Sequence, residues 1–285
     1  MAVDGSCSVQ YTLPWVVFGG GWESRLKAGN PPTSGAVQLR FTLVPAVSSL
    51  NGSQNHLPAY FTDNRTGQLQ VGESANYTLS AGQSVDVHFL YPPAGCDNNG
   101  QHCAGQPDPG TLSFGSVVVQ YSSFDPGTLR RQVNPQLAFL ARASGEAYSS
   151  QITERATVAA KAWTAPVALS ADSNANPQTY QQASAAINNP GSTPVTVRGT
   201  LRDKNGNVVT YHDFQIPAFG ATGIVFSWDP SQPFGGFGNA AFPQGQDFKG
   251  WVTFDVTSQG SRGVSVLVLQ YAGNTISSVN VQSLP

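Results

Sequence analysis

Two stretches of the chain, read side by side, decide its fold: Trp22-Glu-Ser-Arg-Leu-Lys-Ala-Gly-Asn30-Pro-Pro-Thr-Ser-Gly-Ala-Val37-Gln-Leu-Arg-Phe-Thr-Leu43 and Tyr180-Gln-Gln-Ala-Ser-Ala-Ala-Ile-Asn188-Asn-Pro-Gly-Ser-Thr-Pro-Val195-Thr-Val-Arg-Gly-Thr-Leu201. At a constant offset, Ala28, Asn30, Pro32, Val37, Arg40, Thr42 and Leu43 reappear as Ala186, Asn188, Pro190, Val195, Arg198, Thr200 and Leu201. In both, an Asn-Pro turn leads into a run that alternates apolar and polar residues. Period-two alternation is what a half-buried antiparallel strand requires, because successive side chains point to opposite faces.

Working outward, the likeness continues. Tyr77-Thr-Leu-Ser-Ala-Gly82 matches the pattern of Phe214-Gln-Ile-Pro-Ala-Phe-Gly220, and Pro14 finds Pro166. Further short β-branched or aromatic runs lie at Val85–Leu90, Ser116–Tyr121, Gln136–Ala141, Gly223–Trp228, Trp251–Val256, Val264–Tyr271 and Ile276–Val279. Residues Ile152–Trp163 are Ala-rich and read either as a helix or as a strand plus linker. The expectation is an all-β chain of two tandem immunoglobulin-like antiparallel β-sandwich domains related by internal duplication, 1–158 and 159–285. The first is expected to carry long loop insertions at 44–72 and 93–110, the second a Gly/Phe-rich loop at 231–247.

Phe18-Gly-Gly-Gly-Trp22-Glu-Ser-Arg-Leu26, running to Asn30-Pro31, resembles tandem β-sandwich repeats of secreted, largely uncharacterised bacterial proteins with a GGGW-type turn. The Asp203-Lys-Asn-Gly206 hairpin fits the same outline, while the second half carries Asn174-Ala-Asn-Pro-Gln-Thr-Tyr180 where the GGGW turn would be. The resemblance implies a sandwich and secretion, and no catalytic residue.

Composition excludes several function classes. Charged residues are 11% of the 285, with 14 Lys and Arg against 16 Asp and Glu. Such a balance leaves no electrostatic footprint for nucleic acid. No apolar run approaches the roughly 18 residues of a membrane helix, so membrane insertion is not expected. Cys96 and Cys103 bracket a short polar loop and are expected to form a disulfide, which implies an oxidising compartment. The third cysteine, Cys7, is left over. Met1-Ala-Val-Asp4 lacks a basic start and an apolar stretch, so a mature secreted or cell-surface chain is expected.

Candidate chemistry is sparse. The four histidines, His56, His88, His102 and His212, have no metal-ligand spacing. No Gly-x-Ser-x-Gly elbow is present. The four Glu (Glu23, Glu73, Glu146, Glu154) and the strand-associated Asp residues show no spacing that forces a carboxylate pair. No catalytic or metal-binding residue is therefore assigned, and no cofactor is expected beyond structural calcium near Asp172, in Asp172-Ser-Asn-Ala-Asn176. The comparable Asp203-Lys-Asn-Gly-Asn207 string reads as a hairpin turn.

Long loops on a rigid sandwich are where binding usually resides. Tyr60, Trp228, Phe234, Phe237 and Phe242 are the candidate ligand-binding residues. The expected function is a non-enzymatic interaction or structural protein whose partner is itself or another extracellular protein, joined through strand edges or loops. The alternative is a carbohydrate-binding module or a secreted glycosidase-like protein, with polysaccharide as partner.

Overall fold

The computed structural model describes residues 6–18, 22–45, 59–63, 69–72, 74–90, 113–132, 135–141, 150–155, 159–170, 181–226, 247–272, 275–279 and 281–284. They are built almost wholly of antiparallel strands. Two compact units share the chain, Met1–Pro45 with Asn55–Thr157 in the first and Val158–Pro285 in the second.

In the first unit the strands are β1 (Cys7–Phe18), β2 (Trp22–Gly29), β3 (Val37–Pro45), β4 (Ala59–Asp63), β5 (Leu69–Gly72), β6 (Ser74–Leu79), β7 (Ser84–Leu90) and β8 (Ser113–Ser123). A single helical turn, α1 (Pro126–Leu129), precedes β9 (Gln136–Ala141) and β10 (Ser150–Arg155). One sheet runs β1-β8-β3-β6 and the other β10-β9-β2-β7-β4-β5. The sheets face each other across one core, where Phe41 of β3 meets Phe89 of β7 edge-on, ring centres 5.7 Å apart.

The second unit contains β11 (Ala162–Leu169), β12 (Gln181–Asn188), β13 (Val195–Asp203), β14 (Val208–Ile216), β15 (Ala221–Phe226), β16 (Phe248–Val256), β17 (Ser265–Ala272), β18 (Thr275–Val279) and β19 (Gln282–Ser283). Its sheets run β14-β13-β16-β11-β19 and β15-β12-β17-β18. Trp163, Ile187, Leu201, Phe226, Val252 and Phe254 come from both sheets into one core. Gln270 of β17 ties the layers further: its amide donates to the Ala168 carbonyl at 2.8 Å and accepts from the Ala168 N–H at 3.1 Å.

Taken in chain order, β1-β8-β3-β6 is the same arrangement as β11-β16-β13-β14, and β10-β9-β2-β7 the same as β18-β17-β12-β15. Registers agree as well. Leu43 lies opposite Val117, and Leu201 opposite Val252. One rung inward, Phe41 faces Val119 in the first unit, while Gly199 faces Phe254 in the second. The bulky ring sits on opposite strands of the pair in the two units, so each rung holds one large side chain against a smaller partner, as close packing allows.

The hydrogen bonds correct the register read from sequence. Buried Asn30 takes the Gln83 carbonyl with its N–H, and its side-chain amide donates to the carbonyls of Gly35 and Leu79 at 2.8 and 3.0 Å. Asn189, not Asn188, repeats this: its N–H reaches the Gly220 carbonyl, and its side chain donates to Thr193 and Pro217 at 2.8 and 2.9 Å. The loop from this asparagine to the next strand is one residue shorter in the second unit. A constant offset cannot absorb that difference in length, so the sequence match holds along β3 and β13 and slips by one before them.

Two other stretches differ from expectation. The span 44–72 was expected to be loop, yet it carries β4 and β5, a hairpin that widens one sheet. Over 152–163 the structure has strand β10 to Arg155 and the start of β11 at Ala162, so the strand-and-linker alternative holds and the helical one does not. Alanine favours helix only weakly against tertiary pairing, and Ser150–Arg155 pairs along its length with β9.

Candidate functional site

Of the residues singled out from sequence, Trp228, Phe234, Phe237, Phe242, Cys96, Cys103 and Asp172 lie outside the described residues. Tyr60 is placed on β4, its backbone paired with Val71 and Leu90, and its side chain lies outside the description. Cys7 is an exposed free thiol at the start of β1. Among the described residues, no three His, Cys, Asp or Glu side chains converge as a metal site, and no helix is long and apolar enough to cross a membrane.

The Asp203 string is a hairpin turn joining β13 to β14. The Asp203 carboxylate accepts from the N–H groups of Asn205 and Asn207 at 2.8 and 2.9 Å and from the Asn207 side chain at 3.0 Å. Gly206 takes φ 87°, which a side chain would resist. The Asn207 side-chain bond, then the turn N–H groups, hold the Asp203 carboxyl below the ordinary carboxylate range. Those oxygens already serve the turn.

What the structure does assemble is the outward face of the β14-β13-β16-β11 layer. On β16, Val252 and Phe254 point into the core, so Trp251, Thr253 and Asp255 point out. By register, Tyr211 of β14 lies beside Thr200, which lies beside Thr253, which lies beside Thr164. One rung along, Asp213, Arg198 and Asp255 form a row. Tyr211 is 59% exposed and Trp251 48%. They sit two strands and two residues apart on one sheet face, about 12 Å by strand geometry.

Electrostatics organises this face. Arg198 grips Asp213 with both prongs, Nε to Oδ1 and Nη2 to Oδ2, each 2.8 Å. Its guanidinium carbon stands 4.7 Å from the Tyr211 ring centre, a cation–π geometry that fixes the ring. The Arg198 hydrogen bond, and then its charge, keep the Asp213 carboxyl below its ordinary value. Asp213 and Asp255 lie on either side of Arg198, about 10 Å apart across two strand spacings. Glycoside hydrolysis needs one carboxyl that holds its proton, a role for which the Arg198 clamp unfits Asp213.

Trp251 also borders a groove of about 590 Å³ lined by Pro166, Lys249, Gly250, Gln270 and Ser278. An indole beside a lysine and a serine offers an apolar surface for a sugar ring face and polar groups for its hydroxyls.

The equivalent layer of the first unit has a different row. Gln10, Gln120, Arg40 and Asn76 lie side by side across β1, β8, β3 and β6. Arg40 thus occupies the register position of Arg198, with amides in place of both carboxylates.

No protein-family model and no curated protein matches the chain.

Sequence reasoning looked for binding residues in loops and passed over those on strands. The signal was present: in Trp251-Val-Thr-Phe-Asp-Val256 the apolar positions fix which way Trp251 points. The repeat pairs Arg40 with Arg198, but the residues that flank them lie on other strands and only register brings them alongside. The Asp125-Pro126-Gly-Thr128 helix start was also legible, an Asp cap followed by Pro at the first helical position.

Proposed function

We propose that the chain is a secreted or cell-surface, non-enzymatic interaction protein of two duplicated immunoglobulin-like sandwiches, and that it associates with itself through an open strand edge. The shared strand order and the recurring asparagine corner support the duplication. The observation that carries the function is β14. Among the described residues this nine-residue strand pairs with β13 alone, which leaves one row of its backbone N–H and C=O groups for another strand.

Open edges are normally guarded by Pro, Lys, bulges or a covering element. The long edge strand β1 has Pro14 and a register shift between Leu13 and Val16. By contrast, Val208–Ile216 contains no Pro, Lys or Gly, and Val208 and Tyr211 stand exposed on it. Its one register shift, opposite Leu201–Arg202, lies near the end of the strand.

Light scattering over a concentration series tests this reading. The wild-type mass is expected to rise with concentration, and Val208→Lys with Tyr211→Lys to hold it at the monomer. A strict monomer at high concentration overturns it.

A second reading, carbohydrate binding, is favoured by one observation: Trp251 and Tyr211 stand exposed on one sheet face with hydrogen-bonding neighbours. It expects retention on an insoluble polysaccharide that Trp251→Ala abolishes; wild-type protein in the unbound fraction would count against it.

A further inference from the structure

The first unit holds a groove of about 710 Å³ on the outward side of β3, β6 and β8, closed at one end by the turn around α1. We propose that it is a binding site for an acidic saccharide, a sugar chain bearing carboxylate or sulfate groups. It is distinct from the β14 edge and does not depend on it.

The charge arrangement points to an anion. Arg40 is exposed, and its neighbours across the sheet, Asn76 and Gln120, are neutral, as are Gln38 and Thr42 on its own strand and face. Among the described residues its guanidinium has no carboxylate partner. At the same register position in the second unit, Arg198 is already clamped by Asp213. A second guanidinium, Arg131, lines the groove and spends one nitrogen on the Thr33 carbonyl at 2.6 Å. The groove's one described carboxylate, Asp125, is committed internally: it accepts from the N–H of Gly127 at 2.9 Å, the N–H of Thr128 at 3.1 Å and the Thr128 hydroxyl at 2.8 Å. The groove therefore presents two guanidiniums against one described carboxylate, whose oxygens serve the turn and whose charge Arg131 offsets, which leaves Arg40 without a counter-charge in the lining.

The remaining lining matches a sugar. Arg40 offers a planar fork that fits carboxylate or sulfate oxygens two at a time. The amides of Gln38, Asn76 and Gln120 each donate and accept, as paired hydroxyls require. At the rim, Phe124 is 74% exposed, a ring that finds no place in the protein core but can cover the C–H face of a sugar. A polyphosphate backbone fits less well, because the chain as a whole is slightly acidic and lacks the basic stripe such ligands need.

The test is calorimetric titration of the full chain with three probes: oligogalacturonate, sulfated dextran and uncharged dextran. Binding to an acidic probe, weakened by salt, is expected, with dextran at least about tenfold weaker. Which acidic probe binds more tightly assigns the anion as carboxylate or sulfate. Arg40 is on the surface, so Arg40→Gln will fold, and it is expected to weaken the acidic probe by about tenfold or more. Arg40→Lys should recover part of that, keeping the charge without the fork. Arg262→Gln, at an exposed arginine that does not line the groove, should leave the affinity unchanged. No binding to either acidic probe, equal binding of dextran, or an unaltered affinity for Arg40→Gln would each overturn the proposal.

Discussion

The two units solve one topological problem with different residues. Each closes the turn after its second strand with a buried asparagine whose side chain holds the ends of two neighbouring segments, Asn30 in one and Asn189 in the other. Each places an arginine at the same rung of the same outer sheet face. Around those fixed points the surroundings diverge. The first unit adds the β4–β5 hairpin, surrounds its arginine with amides and seals its corner with Gln132, whose amide donates to Asn30 at 2.9 Å. The second surrounds its arginine with carboxylates, and its asparagine instead accepts from the Gly191 N–H at 3.0 Å. Backbone satisfaction at the corner is therefore the rigid requirement, and the outward face is free to take on different binding chemistry.

The largest effect that probes this comparison comes from removing the corner. Asn30→Ala and Asn189→Ala each leave buried carbonyls without donors, at an expected cost of about 2–4 kcal/mol per unit. Urea unfolding followed by circular dichroism would measure it. Similar losses in both variants sharpen the equivalence; a loss under about 1 kcal/mol in one of them would break it.

A second effect separates the units by alkali. Tyr121 lies opposite Leu39 in the first core, where the second unit has Val256 opposite Val197. Burial pushes the Tyr121 hydroxyl up to about 12, against the opposing pull of the Gly29 backbone. The folded value lies above the unfolded one of about 10. Its contribution is therefore complete below about pH 10 and is lost as pH rises through 12, to the extent of roughly 2–3 kcal/mol. Burial also raises the Tyr271 hydroxyl in the second unit, so ultraviolet titration should find two late-ionising phenols, with Tyr121 the later and absent in Tyr121→Phe, and the alkaline loss should be larger in the first unit. Early, uniform ionisation of all tyrosines would refute this.

How far the fold was legible follows from the same residues. Val37–Leu43 and Val195–Leu201 were readable because alternation is a local property of the strand and survives any neighbour. The asparagine corner was readable as a repeated residue but misplaced by one, because what marks it is a hydrogen bond to a strand end 27 to 49 positions away. Leu69–Gly72 was taken for loop because four residues with Gly at the end carry too little period to register, and pairing with Ala59–Thr62 makes them a strand. The binding faces were hidden for a related reason. Exposed strand residues look like ordinary surface until register puts Tyr211, Arg198 and Asp213 beside one another.

A smaller effect lies in the turn that meets each corner. Gly82 and Phe219 occupy the same position, each the residue before an N–H that closes the turn onto Ser80 or Pro217. Both have positive φ, 76° and 52°. Glycine adopts that region freely, whereas a phenylalanine there is strained by roughly 1 kcal/mol. Phe219 is 54% exposed, so removing its ring uncovers little core. Gly82→Phe is expected to destabilise the first unit by about 1 kcal/mol, and Phe219→Gly to stabilise the second by up to that amount. If Phe219→Gly lowers the melting temperature, the ring has a packing role that outweighs its backbone strain.

The smallest effect bears most directly on function. If Arg198 and Arg40 differ only in their neighbours, the difference must appear as a proton equilibrium. The Asp213 carboxyl is held below the ordinary aspartate range first by its hydrogen bond to Arg198. Its folded value thus lies under its unfolded one, so whatever stability it lends is present above about pH 4 and fades as pH falls through the folded value. Both side chains are well exposed, so water and salt screen the pair and the stability change will be slight. The titration itself is the sharper readout. Carboxyl-carbon NMR should find Asp213 titrating low in the wild type and returning upward in Arg198→Gln. Arg40→Gln should move no described carboxyl on its own sheet face, because Asn76 and Gln120 have no proton to lose. Should Asp213 titrate at the ordinary value, the clamp does not persist in solution. Arg198 would then differ from Arg40 only in the two carboxylates beside it, which would still disfavour an acidic ligand there.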